Sequence, residues 1–280
     1  MNAQFVRDYL ARALEGDRLA HAYLLWGPAS DERDRAAREI ATAFVCAEGR
    51  ARGMSPCGAC RPCREVVHGT SAAFLELPAD KPKIEIDDVR EIAGKLAVAY
   101  ESRRVVFLPR LERLTLPAAH AFLKILEEPG GLTLYFFTTG RVSSLLPTII
   151  SRCHRLPFYA ASADTQSADH ADLDAFLADP ARRAELDMDV LGDYVPGEDK
   201  RERLRAFLAH LCTHLELRMA ELCGGQPGAP TIFGALDLEQ SLLLAEKLLL
   251  AAEDVEANVN PDLLVECLAI ELRRLPSAAQ

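Results

Sequence analysis

Four cysteines carry the clearest chemistry in the sequence. Cys57, Cys60 and Cys63 are spaced as consecutive Cys-x-x-Cys pairs, and ten residues separate Cys46 from Cys57. Four thiolates suit tetrahedral zinc: three can converge from one turn, and the loop from Gly49 to Ser55 can return Cys46 as the fourth. A closed four-sulfur site has no open position for substrate. Its expected role is structural, pinning an insertion that Arg50, Arg52, Arg61 and Arg64 make basic. His68 can replace one cysteine as a ligand, a lesser reading because Cys46 completes an all-thiolate set. Buried or reactive thiols are the other use of cysteine, and clustering this tight argues against it.

A second constellation surrounds Gly27-Pro28, where the strand Tyr23-Leu24-Leu25-Trp26 runs straight into a helix. That is where a phosphate-binding loop sits. Such a loop needs a second glycine to wrap the phosphates, a lysine for the terminal phosphates and Ser or Thr for magnesium. Counted from Gly27, those places hold Glu32, Arg33 and Asp34. Arg33 can mimic the lysine, but Asp31, Glu32 and Asp34 would repel phosphate, each contact at 4 Å costing about 4 kcal/mol at an effective dielectric of 20. The strand Val105 to Leu108 ends in Pro109-Arg110 rather than in magnesium-binding carboxylates, with Glu112 expected as a helix-entry carboxylate. Two separate losses predict that this chain binds no ATP in the usual way.

Other candidates carry less. His210 and His214 share a helix face, but no acidic residue lies between them as in a zinc protease and no third ligand is evident, so they read as helix-face histidines. Cys153, Cys212, Cys223 and Cys267 lie apart, and Cys212 and Cys267 fall in apolar helical patterns where buried cysteine is common. Lys124, Glu127 and Glu128 read as helix-face charges.

These residues need elements to position them. Tyr23–Trp26, Phe74–Leu77, Val105–Leu108 and Leu134–Thr138 are short apolar runs that read as strands. They alternate with helical patterns over Asp31–Phe44, Ile86–Tyr100 and Leu116–Glu128, an order that predicts a parallel sheet covered by helices. Thr115 is placed to cap the third helix, Pro117 to enter it and Pro129-Gly130-Gly131 to stop it. After Phe158 the small, acidic stretch Ala160 to Asp172 suits a linker into a small helical module ending near Pro196. Beyond it, Lys200–Leu222, Leu236–Ala257 and Pro261–Leu275 predict three amphipathic helices. No internal repeat is evident.

Composition sets limits on function. The 280 residues are 49% hydrophobic and 26% charged, enough to bury a large core in two or three domains. No apolar run reaches the roughly 18 residues that span a bilayer, and the N-terminal residues lack signal-peptide order. A cytoplasmic protein with no membrane association is expected, where reduced cysteines serve metal binding or burial. The net charge of -10 divides unevenly, +3 over residues 1–159 and -13 over 160–280. So acidic a chain is not expected to hold DNA by itself, because affinity for the phosphate backbone rests on neutralising several phosphates.

Several segments resemble, in order, the motifs of one family. His21-Ala22-Tyr23-Leu24-Leu25-Trp26-Gly27-Pro28, the four-cysteine insertion, Phe122-Leu123-Lys124-Ile125-Leu126-Glu127-Glu128-Pro129 and Leu146-Pro147-Thr148-Ile149-Ile150-Ser151-Arg152-Cys153 are similar to motifs of the bacterial clamp-loader AAA+ family. The resemblance covers roughly residues 20 to 158, and within the family the degenerate phosphate loop points to the delta-prime type of DNA polymerase III. It implies an AAA+ domain with a zinc module over residues 1–159, a small helical lid over 160–197 and an oligomerising helical collar over 198–280. The middle and C-terminal regions are shorter than the family pattern.

The resemblance further implies a non-hydrolysing stator in a hetero-pentamer with gamma or tau subunits and a delta subunit. Such a complex acts on the sliding clamp and primer-template DNA. In this family the arginine at the position of Arg152 faces the adjacent subunit and acts in trans on its ATP. Structural zinc is then the one cofactor expected of this chain. Two other classes stay open: an active AAA+ ATPase of replication or recombination that uses Arg33 as its lysine, and a zinc-dependent DNA-binding regulator. The acidic tail and the lack of a recognition-helix pattern after the cysteines argue against the regulator.

Overall fold

Parallel strands buried on both faces read as continuous apolar runs, and the sheet is built from such runs. In chain order the first elements are α1 (Ala3–Glu15), β1 (Ala22–Trp26), α2 (Asp31–Val45), α3 (Arg61–Val67), β2 (Phe74–Glu76), α4 (Ile86–Ala97) and β3 (Arg104–Leu108). They are followed by α5 (Leu116–Glu127), β4 (Thr133–Thr139), α6 (Pro147–Ile150) and β5 (His154–Pro157). The strands form one parallel sheet in the order β2-β3-β4-β1-β5, with Ala22 opposite Tyr135 and Tyr23 opposite His154. This computed structural model describes residues 3–27, 31–77, 81–98, 100, 102–128, 132–158, 171–223 and 231–276. The expected α/β architecture, a parallel sheet followed by a helical part, is the one observed.

The chain falls into two compact units, Val6–Phe158, and Tyr159–Gln280 together with Met1–Phe5. In the first, Tyr23, Trp26, Phe107, Phe122, Tyr135, Phe136 and Phe137 are fully buried around the sheet. Phe122 meets Tyr135 and Phe137 edge to face, with centroids 6.5 and 5.5 Å apart, fixing α5 against β4.

Three local expectations differ from the structure. The fifth strand, His154–Pro157, is absent from the sequence reading, because its polar residues and proline lack the apolar run that marks the others. Helix α4 ends at Ala97, short of Tyr100. The buried Arg104 of β3 takes its final carbonyls, donating to those of Lys95 (3.1 Å), Leu96 (3.3 Å) and Val98 (3.1 Å). Thr115 occupies the N-cap of α5 without a capping bond, its hydroxyl donating to the Ile84 carbonyl instead. The proposed stop at Pro129-Gly130-Gly131 lies outside the described residues, as does most of the linker Ala160 to Asp172.

The second unit is helical: α7 (Ala171–Ala178), α8 (Pro180–Arg183), α9 (Met188–Tyr194), α10 (Lys200–Leu222), α11 (Leu238–Glu256) and α12 (Pro261–Arg273). Its long helices start on side-chain caps. Asp199 accepts from the amides of Arg201 and Glu202, Asp237 and Gln240 form a capping box, and Asn260 precedes Pro261 at the first turn of α12. Arg183, only 2% exposed, donates to the carbonyls of Leu177 and Ala178 on α7 and of Leu272 on α12. One cation thereby closes two helix C-termini, where positive charge is favoured. Leu248, Leu249, Leu264 and Leu268 are buried, whereas Leu243, Leu250, Leu263 and Ile270 stay exposed. No helix among the described residues is long and apolar enough to cross a membrane.

Candidate functional site

The four predicted cysteines come together. Cys46 follows the last turn of α2, Cys60 is the N-cap of α3 and Cys63 lies in its first turn, entered through Pro62. Gly49 permits the return of the chain, since a Cβ there would lie 1.9 Å from the Ala43 carbonyl oxygen. All four Sγ atoms lie within 4.8 Å of one another, and Sγ of Cys60 is 3.8 Å from that of Cys46. Two sulfurs on one tetrahedral zinc, each about 2.3 Å from it, stand about 3.8 Å apart, so the donor set fits that ion.

Backbone donors favour the thiolate form. The Cys57 amide donates to Sγ of Cys46 and the Cys60 amide to Sγ of Cys57, each at 3.3 Å. Burial opposes ionisation of Cys60, but backbone hydrogen bonds from Cys63 and Ala47 outweigh it and lower its pKa. Cys63 is pushed up, first by burial and then by its sulfur neighbours Cys60 and Cys46. His68 is not among the clustered ligand atoms.

At the phosphate-loop position the geometry differs from simple repulsion. Arg33 is fully buried; its Nη1 donates to the carbonyls of Gly27 and Thr139, both at 2.7 Å, and its Nε and Nη2 reach Oδ1 of Asp34 at 3.1 and 2.8 Å. Across the groove, Arg110 donates to Oδ2 of Asp34 at 2.8 Å and to Oδ1 of Asp31 at 2.7 Å. The Thr138 hydroxyl donates to Oδ1 of Asp34 at 2.7 Å and accepts from the Arg110 amide at 2.9 Å. Burial would raise the Asp34 carboxyl, yet Thr138, the Arg33 charge and Arg110 hold it below its ordinary value. The expectation that Arg33 can stand in for the lysine is corrected: its guanidinium faces the protein's own carbonyls and carboxylate.

Helix N-termini attract anions. In α2 that anion is internal, supplied by Asp31, Glu32 and Asp34 in the first turn. Arg110 adopts a left-handed backbone, φ 57°, which costs an L-residue about 1–2 kcal/mol and is offset here by two ion pairs. Gly27 could carry no side chain, because a Cβ would sit 1.9 Å from the Phe158 carbonyl oxygen. Glu112 accepts from the Gly140 amide at 3.2 Å, in keeping with an ordering carboxylate.

Arg152 follows α6 and is half-buried. Its Nη1 donates to the Thr148 carbonyl at 2.9 Å and its Nη2 to Oε1 of Glu127 at 2.6 Å. Glu127 is therefore a partner of Arg152, a role that spacing alone does not separate from that of an ordinary helix-face charge.

The remaining cysteines divide. Burial pushes Cys153 and Cys212 up to about 12, which leaves them unreactive thiols. Cys267 is exposed, contrary to the burial expected from its helical pattern. His210 and His214 acquire the third neighbour that the sequence did not reveal, Asp174 of α7. Arg110, Glu127 and Asp174 make the contacts that sequence reasoning missed. Each lies far along the chain from the groups it meets, and no spacing motif links them.

The sequence profile of the family described as "DNA polymerase III, delta subunit" matches residues 2–162. The chain is 38% identical over 154 residues to the DNA polymerase III subunit delta' of Pseudomonas aeruginosa, covering 52% of this chain and 46% of that protein. It is 33% identical over 156 residues to the delta' subunit of Bacillus subtilis, covering 55% and 46%. It is also 33% identical over 152 residues to the DNA polymerase III subunit gamma/tau of Mycobacterium bovis, covering 53% and 26%. The chain spans about half the length of the delta' relatives it matches.

Proposed function

The chain belongs to the DNA polymerase III delta-subunit family, with delta' subunits among its relatives, and on that premise we propose that it is a non-hydrolysing stator of a sliding-clamp loader. It works in the cytoplasm, in a hetero-pentamer with gamma or tau subunits and a delta subunit, and helps load the clamp onto primer-template DNA. The observation that carries this reading is Arg33. A buried guanidinium committed to Gly27, Thr139 and Asp34 is not offered to a nucleotide's phosphates, and Arg110 stands where a magnesium carboxylate would be needed.

Residues 160–197 then serve as the lid and 198–280 as the collar. Leu243 and Leu250 are seven residues apart on α11, as are Leu263 and Ile270 on α12, so each exposed pair shares a helix face of the kind that subunit packing buries. Zinc in the cysteine cluster has a structural role, closing the insertion between α2 and α3. Arg152 is the residue offered to a neighbour's ATP: a guanidinium stays charged and presents a rigid fork of donors to a phosphoryl group.

Two measurements test the proposal. The isolated chain is expected to show no saturable binding of magnesium-ATP; tight binding would favour an active ATPase instead. Reconstituted with gamma or tau, delta, clamp and primed DNA, the chain should be required for ATP-driven loading. Arg152→Ala should assemble normally while lowering the stimulated ATPase rate, and unchanged turnover would remove Arg152 from its role.

A further inference from the structure

His210 and His214 lie one turn apart on α10, and both aim Nε2 at the same atom of α7. Oδ1 of Asp174 is 2.7 Å from Nε2 of His210 and 3.0 Å from Nε2 of His214. The imidazoles pack edge to face with centroids 4.7 Å apart, and each side chain is only 11% exposed. Asp174 keeps 36% exposure, so the cluster has an open side through which an ion can enter. One carboxylate oxygen facing two imidazole nitrogens requires either a hydrogen on both nitrogens or a cation among the three groups.

We propose that Asp174, His210 and His214 form a second metal site, separate from the cysteine cluster, that takes a divalent transition ion such as zinc. The three ligand atoms lie within 4.8 Å of one another. Ligands on a tetrahedral zinc, each at about 2.0–2.1 Å, stand about 3.3 Å apart, so each of the two Asp174–histidine separations needs to widen by well under an ångström. Two imidazoles and one carboxylate favour a borderline transition ion over magnesium or calcium, which take oxygen ligands. Three protein ligands leave the fourth position to water on the exposed side of Asp174.

The consequence for the protein is mechanical. Asp174 and His210 are 36 residues apart in the chain, and the ion clips α7 to the middle of α10. The helix pair is thereby fixed by a bond that a chelator can remove, independently of the burial of Leu173, Phe176 and Leu177 on α7 and of Leu208 and Leu211 on α10.

The test uses the untagged full chain already holding its cysteine-bound metal, titrated with zinc by calorimetry and with cobalt by visible absorption. The expected result is one further equivalent whose cobalt spectrum lacks sulfur charge-transfer bands, together with a rise in Tm. Asp174→Asn and His210→Gln should each weaken this second equivalent at least tenfold and remove the Tm rise, while keeping the cysteine-bound ion and the helical circular dichroism. Failure of the wild-type chain to take a second equivalent would overturn the proposal and leave a carboxylate bridging two histidines by hydrogen bonds. Its persistence in both variants would place the ion elsewhere and overturn it equally.

Discussion

Glu127 accepts a 2.6 Å hydrogen bond from Nη2 of Arg152, whose Nη1 is held at the same time by the Thr148 carbonyl. The arginine proposed to act on a neighbouring subunit is thus paired within its own chain. Engagement in trans must compete with that pair, which is partly exposed and worth at most about 1 kcal/mol. Glu127→Gln should therefore raise the stimulated ATPase of the reconstituted complex by up to about fivefold. A steady-state rate equal to wild type, with normal assembly, would show that the pair imposes no such competition.

Removal of one sulfur should empty the cysteine cluster. The wild-type chain is expected to hold the zinc proposed for this cluster through dialysis and Cys60→Ser to lose it, as read by metal analysis. Since about 1 kcal/mol moves the Tm of a unit this size by about 2–4 °C, and a structural site contributes several kcal/mol, a fall of about 5 °C or more should follow. A variant that keeps stoichiometric zinc would reassign the ligands.

Arg33 should behave as a structural residue. Arg33→Ala strips a buried charge from Asp34 and leaves the Gly27 and Thr139 carbonyls without this donor, a loss of about 3–5 kcal/mol. Arg33→Lys restores the lysine type but should still show no ATP binding, because Arg110 continues to hold Asp31 and Asp34. Denaturant unfolding measures the first effect and nucleotide titration the second.

Asp34 gives the network a pH signature. Its carboxyl is held below the ordinary value of 3.8, so the folded state binds its proton less readily than the unfolded state. The associated stability is fully present above about pH 4 to 5 and is lost as pH falls through the lower folded value. Asp34→Asn should reduce stability at pH 7 and flatten its decline below pH 4. Denaturant midpoints followed from pH 7 to pH 2 measure both; parallel profiles for the two proteins would deny Asp34 that contribution.

Local rules revealed much of this in the sequence, and tertiary approach supplied the rest. The runs around Leu24, Val106 and Phe136 were readable as strands because both faces of each are buried. The cysteine cluster was readable because three of its ligands follow one short spacing. The residue types at the phosphate-loop position predict a loop that rejects phosphate, but for a partial reason. By residue type Asp31 and Asp34 are charges that repel phosphate, whereas Arg110, donating to Asp34 from 76 residues away, makes them members of a closed network. Glu127 and Asp174 were likewise hidden, since an exposed acid on a helix gives no sign of which cation or imidazole will fold against it.

The strand order also sets a schedule for synthesis. β1 lies between β4 and β5, so Ala22 pairs with Tyr135 and Tyr23 with His154, both more than a hundred residues later. A ribosome adding about 5–20 residues per second leaves the apolar segment Tyr23-Leu24-Leu25-Trp26 without either neighbour for on the order of 10 s. Every one of those side chains is buried in the finished sheet. Until residue 157 has been added, the central strand of the domain keeps an unpaired apolar edge, and shielding of the nascent chain by a chaperone would matter during that interval.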